Sequence, residues 1–132
     1  VYKRQIIDLN QADTTELKKI PGIGSRIARS IVNRRRLLGG FYQIEQLGEI
    51  RLKAEKLRSW FSVDAGKIHR ININKASVER MMHHPYISYY QAKVIAEYRK
   101  KKGKVRDLKQ LMLYEEFTPA DFERMAPYVC YD

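Results

Sequence analysis

The chain has 132 residues, and 26 Lys and Arg against 15 Asp and Glu give a formal net charge of +11, which favours a polyanionic partner. An apolar content of 44% argues against a disordered chain. No run reaches the roughly 20 apolar residues of a membrane span, so we expect no membrane contact within this sequence. The single cysteine, Cys130, excludes an internal disulfide.

The first predicted element is a short helix that leads into a tight turn. Asp13 and Glu16 have the spacing of a capping box, which marks the start of a helix. Pro21 then fixes its own φ, while Gly22 and Gly24 suit a backbone that needs a positive φ or the close approach of another group. The sequence therefore predicts a helical hairpin.

A longer helix is predicted from Ser25 to Leu38, ending at Gly39 and Gly40. Its apolar face consists of Ile27, Ala28, Ile31 and Val32. The N–H groups of its first turn have no intrahelical partners and lie at the positive end of the helix dipole. Because the neighbouring glycines leave room, this turn is suited to binding a phosphate.

The segment Ile20-Pro21-Gly22-Ile23-Gly24, followed by Ala28 and Ile31, resembles the motif of the helix-hairpin-helix DNA-binding proteins position for position. The preceding Asp8-Leu9-Asn10-Gln11-Ala12 and the following Gly40-Phe41 look like the version found in ComEA-like competence DNA receptors. This resemblance implies sequence-independent binding of double-stranded DNA through its backbone phosphates, which position a protein without reading bases.

The resemblance also implies which groups contact DNA. The implied phosphate ligands are the amides of Gly22, Gly24, Arg26 and Ile27. No cofactor is implied except a structural potassium or sodium ion shared by the carbonyls of Lys18, Ile20 and Ile23. The predicted DNA-binding residues are Lys18, Lys19, Pro21, Gly22, Ile23, Gly24, Ser25, Arg26, Ile27 and Arg29. A turn that merely joins two helices is the weaker alternative, because it would not need two glycines flanked by cations.

Two further helices are predicted in this part of the chain, one from Phe41 to Leu47 and one from Leu52 to Trp60. The second should bury a stripe formed by Leu57, Trp60 and Phe61. The family's usual second turn falls at Gly48-Glu49-Ile50-Arg51-Leu52, which lacks the turn glycines. We therefore expect this second hairpin to bind phosphate poorly.

An internal repeat is visible when each residue is compared with the residue 64 positions later. The matching pairs include Asn10 with Asn74, Pro21 with Pro85, Ala28 with Ala92, Arg35 with Arg99 and Leu47 with Leu111. Four extra residues then precede the pairs Leu57 with Met125 and Trp60 with Tyr128. The repeat predicts two homologous units, 1–64 and 65–132, of which the second is degenerate.

The second unit is expected to keep the architecture and lose the phosphate site. Its hairpin reads His84-Pro85-Tyr86-Ile87-Ser88, with both glycines replaced. Tyr86 would occupy a position that needs a positive φ, which costs energy, and its side chain would fill the space of a phosphate. Ordinary packing is the default for Tyr86, Tyr89 and Tyr90; stacking on unpaired bases and contact with a protein partner are the alternatives.

The remaining charged residues give weaker signals. Arg34-Arg35-Arg36 and Arg99-Lys100-Lys101-Lys102 lie in the last turns of the two long helices, where cations complement the dipole, so solvated helix ends are expected for most of them. The three histidines have no spacing of a metal site. No paired carboxylates and no nucleophile triad are evident, so an enzyme is not expected.

These observations predict an all-α fold of two tandem (helix-hairpin-helix)₂ units, small helical domains of the SAM-like kind. The expected function is sequence-independent binding of double-stranded DNA. By the resemblance, the full-length protein would be a bacterial, exported or membrane-tethered receptor for DNA uptake in competence, located outside the cytoplasm. The alternatives are a cytoplasmic repair or recombination factor and a protein-contact module of a secretion or uptake assembly. The compartment, the oligomeric state and the strandedness of the nucleic acid stay open at this point.

Overall fold

The computed structural model describes residues 6–132. The chain divides into two compact units, Val1–Ile68 and His69–Asp132, here called the first and the second unit. Both are built mainly from short helices, which confirms the predicted all-α class. Each unit also contains one pair of two-residue parallel strands.

In the first unit, a short strand before the first helix pairs with a short strand near the end of the unit. Its elements are β1 (Ile7–Asp8), α1 (Thr14–Leu17), α2 (Ser25–Leu38), the 3₁₀ helix η1 (Ile44–Ile50), α3 (Ala54–Leu57), η2 (Arg58–Trp60), β2 (Phe61–Ser62) and η3 (Ala65–Lys67). Ile7 lies opposite Phe61 in the parallel pair of β1 and β2. The predicted caps are confirmed: the Asp13 side chain accepts the Glu16 amide at 2.8 Å, and Gly39 ends α2 with φ +90°.

The second unit repeats this order. Its elements are β3 (Ile71–Asn72), α4 (Val78–Met82), α5 (Tyr89–Lys102), η4 (Leu108–Leu111), α6 (Pro119–Met125), η5 (Ala126–Tyr128) and β4 (Val129–Cys130). The side chains of Ser77, Ser88 and Thr118 cap its three α-helices. Pro119 occupies the first turn of α6, where its missing N–H costs nothing.

Each unit has its own hydrophobic core. The core of the first unit includes Leu9, Leu17, Ile20, Ala28, Ile31, Leu38, Phe41 and Leu47, all at most 1% exposed. The core of the second unit includes Ile73, Met81, Ala92, Ile95, Val105, Leu111, Met125 and Tyr128, again at most 1% exposed. Burial of such side chains stabilises a fold by roughly 1.5–3 kcal/mol each, so these cores hold the hairpins in place.

Arg35 is a structural residue and is an exception to the solvated helix ends expected for most of the cations at the ends of the two long helices. Its Nη1 donates to the carbonyls of Leu9 and Ala12 at 3.0 and 2.7 Å, which joins the last turn of α2 to the segment before α1. Burial lowers the pKa of Arg35, while the charges of Asp8 and Asp13 oppose that shift. The sequence could not reveal this role, because the two acceptors lie 26 and 23 residues away.

Arg99 has the same role in the second unit, which also departs from the expected solvated helix end. It donates to the carbonyls of Ile73 and Ala76 at 2.8 and 2.7 Å. The two units therefore share this polar connection as well as their core pattern.

The end of the first unit differs from the prediction. Instead of one helix from Leu52 to Trp60, a single α-turn, α3, is followed by the 3₁₀ helix η2. Phe61 is buried in β2, but Leu57 and Trp60 are only half-buried. The reason is that the tighter turn and the strand pairing redirect these side chains away from a common helical stripe.

Candidate nucleic-acid interface

The hairpin between α1 and α2 is a compact turn held by its own backbone. The Ile20 amide donates to the Leu17 carbonyl at 3.1 Å, and the Ile23 amide donates to the Ile20 carbonyl at 3.0 Å. Gly22 has φ +91°, a left-handed value that L residues with a side chain rarely adopt. Gly22 is therefore required by the backbone conformation of the turn.

Gly24 is present for a different reason. It is the N-cap of α2 with φ −94° and ψ −172°, an extended conformation open to any residue. A Cβ atom at Gly24 would meet nothing within 4 Å. Because Gly24 has no side chain, it leaves the first-turn amides of α2 without a capping group.

The first turn of α2 has free hydrogen-bonding capacity. No side chain caps it at Gly24, and its first intrahelical bond runs from the Ala28 amide to the Gly24 carbonyl at 2.9 Å. The amides of Ser25, Arg26 and Ile27 precede that bond and have no carbonyl one turn earlier in the helix. Together with the helix dipole, they form a site that favours an anion.

Four cationic residues flank this turn in the chain. Lys18, Lys19, Arg26 and Arg29 are all exposed. None of the four takes part in the ion pairs found among residues 6–132. Their charges are therefore available to a polyanion, and no acidic side chain in the described part of the chain neutralises them through an ion pair.

The predicted DNA-binding residues differ in how far their side chains are exposed to solvent. Pro21 and Ser25 are exposed, Ile27 is half-buried, and Ile23 is 6% exposed with its amide used inside the turn. Of the two backbone polar groups of Ile23, only the carbonyl oxygen is therefore left for an external ligand. The carbonyl of Ile20 already accepts one hydrogen bond and keeps one lone pair for the predicted cation.

An apolar groove of about 240 Å³ adjoins the hairpin in the first unit. Its lining residues are Pro21, Gly22, Ile23, Ile27, Leu52, Lys53, Lys56, Leu57 and Trp60. Sequence reasoning missed this groove, since it placed Leu57 and Trp60 in the core. Of its lining residues, Lys53 and Lys56 carry a positive charge and are exposed.

The second turn of the first unit keeps a left-handed residue without glycine. Arg51 has φ +66°, and the Leu52 amide donates to the Leu47 carbonyl at 3.2 Å across it. A non-glycine residue pays a steric cost in this region, of roughly 1 kcal/mol. The hairpin geometry therefore persists at Arg51 although the glycine pattern is lost.

In the second unit, side chains cap the first turn of α5, directly after the hairpin. The Ser88 hydroxyl accepts the Gln91 amide at 3.1 Å, and the Gln91 side chain accepts the Ser88 amide at 3.0 Å. This capping box occupies a first-turn amide that Gly24 leaves open in the first unit.

Tyr86 does not have the positive φ that the sequence predicted for it. Its φ is not positive, since Arg51 is the one non-glycine residue with positive φ among those described. The Tyr86 ring is 7% exposed and packs against Tyr128, with centroids 5.6 Å apart. The turn avoids the predicted strain by changing its backbone, and the ring folds inward instead of covering the turn.

No group of three or more His, Cys, Asp or Glu side chains within residues 6–132 is placed to hold a metal ion. His84 is buried and its Nδ1 accepts the Tyr86 amide at 3.0 Å, which gives it a structural role in the turn. None of the helices that the structure describes has the length and apolar character needed to cross a membrane.

A family model described as the helix-hairpin-helix motif matches the chain twice, at residues 3–58 and 66–130. The chain belongs to the helix-hairpin-helix family, a class of nucleic-acid-binding domains. The two matches agree with the internal repeat, and each contains one of the hairpins described above.

Curated relatives are similar over nearly the whole chain. The endonuclease/exonuclease/phosphatase family domain-containing protein 1 of Xenopus laevis is 22% identical over 150 aligned positions, which cover 95% of this chain and 27% of that protein. The proteins of the same name from Mus musculus and Homo sapiens are 24% identical over 158 positions and are covered to 28%. The chain thus spans little more than a quarter of these relatives. No solved structure matches it.

Proposed function

We propose that the first unit binds double-stranded DNA without sequence preference, by holding backbone phosphates at the turn between α1 and α2. The observation that carries this proposal is the contrast between the two units. Gly24 leaves the first turn of α2 uncapped, whereas Ser88 and Gln91 cap the matching turn of α5. The proposed ligands are the amides around Gly24 and the exposed side chains of Lys18, Lys19, Arg26 and Arg29.

The test is a binding titration over a salt series, with a control of equal charge. The hairpin variant replaces Lys18, Lys19, Arg26 and Arg29 with Gln, and the control variant replaces Lys100, Lys101, Lys102 and Lys104 with Gln. Fluorescence anisotropy measures binding to a random-sequence duplex, and circular dichroism checks the fold. Each phosphate contact contributes about 0.9 to the slope of log affinity against log salt.

We expect the wild type to bind with a steep salt dependence, and the hairpin variant to lose both affinity and slope. The control variant should keep most of both, because its lysines lie at the end of α5 or just after it and not at the first hairpin. Equal losses in the two variants would contradict the proposal, since net charge alone would then explain the binding. No binding by the wild type at low salt would also overturn it.

For the biological context we propose a role as the DNA-binding element of a longer protein. Two settings compete. The ComEA-like residues before and after the hairpin favour an exported or membrane-tethered DNA receptor in competence. The curated relatives, whose printed name includes an endonuclease/exonuclease/phosphatase family domain, favour a segment that holds DNA for a catalytic domain elsewhere in the protein. A plasmid-nicking assay on this chain alone should show no cleavage under conditions in which fluorescence anisotropy shows binding. Cleavage would contradict the non-enzymatic assignment of this segment.

We also propose a contact surface for a protein partner in the second unit, supported by Tyr89 and Tyr90, which are 47% and 70% exposed at the first turn of α5. Capture of a partner from nuclease-treated extract by the wild type, and its loss in a Tyr89→Ala/Tyr90→Ala variant, is the expected result. Capture that persists in the variant would contradict this surface.

A further inference from the structure

We propose that the apolar groove beside the first hairpin receives an unpaired nucleobase of the bound DNA. This inference rests on the proposed function, because it places the base next to the phosphates held by the turn. Gly22 belongs both to the turn and to the groove wall. A nucleotide held at the turn would therefore lie beside this groove.

The walls of the groove have the chemistry that a base requires. Trp60 supplies a half-buried indole, and Ile27 and Leu57 supply aliphatic surface. Lys53 and Lys56 also line it and place positive charge beside the phosphates that flank a base. Stacking of a base on an aromatic side chain contributes about 1–3 kcal/mol and tolerates every base.

In the second unit, the residue that corresponds to Trp60 packs against another aromatic ring. By the repeat, Tyr86 corresponds to Gly22, Arg124 to Lys56 and Tyr128 to Trp60. The ring of Tyr86 packs against Tyr128 with centroids 5.6 Å apart, and the Arg124 guanidinium lies 5.2 Å from its centroid. The position that Trp60 occupies in the repeat therefore accepts a contact between two rings in the second unit.

The proposed occupant must be unpaired. A base inside a duplex is stacked between its neighbours and reaches a lateral groove only after it leaves the stack, which costs a few kcal/mol. A base that is already bulged out does not have that cost. The groove should therefore make the first unit favour DNA with an unpaired nucleotide over a fully paired duplex.

Trp60 is the only tryptophan of the chain, so its fluorescence reports on the groove directly. The probes are three duplexes with the same paired sequence: one fully paired, one with a single-thymine bulge and one with an abasic bulge. The thymine bulge should bind about tenfold more tightly than the other two and quench Trp60, as expected for one stacked base. The abasic bulge should behave like the paired duplex.

Two variants separate the groove from the hairpin. Trp60→Leu should lose the preference for the bulge while still binding the paired duplex, and Tyr42→Leu, which changes an aromatic residue outside the groove that is 41% exposed, should keep it. Equal affinity for the thymine and abasic bulges, with no quenching in the wild type, would overturn the inference while leaving the proposed function intact. Failure of the wild type to bind even the paired duplex would instead refute the proposed function and this inference with it.

Discussion

The side chain of Asn10 and the backbone of Phe41 exchange two hydrogen bonds. The Phe41 amide donates to Oδ1 at 2.6 Å, and Nδ2 donates to the Phe41 carbonyl at 2.8 Å. Asn74 and Val105 repeat this exchange in the second unit at 2.7 and 2.8 Å. An asparagine amide suits this position because it is a donor and an acceptor at once. The exchange joins the segment before α1 to Phe41, which lies three residues beyond the end of α2.

Asn10→Asp should destabilise the first unit by about 2 kcal/mol, because a carboxylate cannot donate to the Phe41 carbonyl and leaves it unpaired. Urea unfolding followed by Trp60 fluorescence measures the change, since the single tryptophan lies in this unit. Asn33→Asp, at an exposed position on α2, is the control and should change stability by less than about 0.5 kcal/mol. If both variants lost the same free energy of unfolding, the two hydrogen bonds between Asn10 and Phe41 would not stabilise the fold as proposed.

Arg35→Met should also lower the free energy of unfolding of the first unit, by about 2 kcal/mol, because two carbonyls lose their donor. Affinity for duplex DNA, measured at a temperature where the variant is folded, should stay close to that of the wild type. Arg36→Met is the matched control, since Arg36 is exposed and donates only to the nearby Asn33 side chain at 2.7 Å among the bonds seen in residues 6–132. A large loss of DNA affinity in Arg35→Met alone would contradict its structural assignment.

Gly24→Ser should separate stability from binding. A serine at the N-cap supplies the side-chain acceptor that Ser88 supplies in the second unit, and this change typically stabilises a helix by a few tenths of a kcal/mol. The same hydroxyl competes with a phosphate for the first-turn amides, so DNA affinity should fall. Thermal unfolding and fluorescence anisotropy measure the two effects. A more stable variant with unchanged affinity would mean that these amides do not bind phosphate.

Asp121 should make the second unit sensitive to acid. Burial raises the pKa of Asp121, but hydrogen bonds from Thr118 and Arg124 outweigh it and leave the pKa below its usual value. A carboxyl with a lowered folded-state pKa stabilises the fold above its unfolded pKa and loses that contribution as pH falls through the folded value.

Asp121→Asn should therefore cost about 1 kcal/mol at neutral pH and much less once the pH falls below the lowered pKa of Asp121 in the folded protein. Thermal unfolding by circular dichroism at several pH values tests this dependence. Glu123→Gln, an exposed change on the same helix, controls for the loss of one negative charge. A cost for Asp121→Asn that does not vary with pH would argue against ionic stabilisation at this cap.

The sequence predicted the hairpin well because its signals are local. Pro21, Gly22 and the first turn of α2 lie within a few residues of one another, and the φ of +91° at Gly22 is a property of the turn itself. The capping side chains Asp13 and Thr118 act over three residues, so spacing alone identified them. The repeat was equally accessible, since it needs only a comparison of the chain with itself.

The groove beside the hairpin could not be predicted in the same way. Trp60 was assigned to a buried helical stripe, but a 3₁₀ turn and the pairing of β2 with β1 leave it half-buried. Tyr86 was assigned to a strained turn, yet it packs inward on Tyr128, 42 positions further along the chain. In both cases the outcome depends on which distant surface is available to the side chain.

The sequence alone determined the helix boundaries at the caps, the glycine turn, the twofold repeat and the excess of positive charge, because each arises from residues that are close in the chain or from composition. Only the tertiary structure decided that Arg35 and Arg99 join distant backbone segments and that Gly22 and Trp60 line one groove. Burial and hydrogen bonding between residues more than 20 positions apart set these features. The free energy of such contacts depends on the packed fold, which local pattern does not contain.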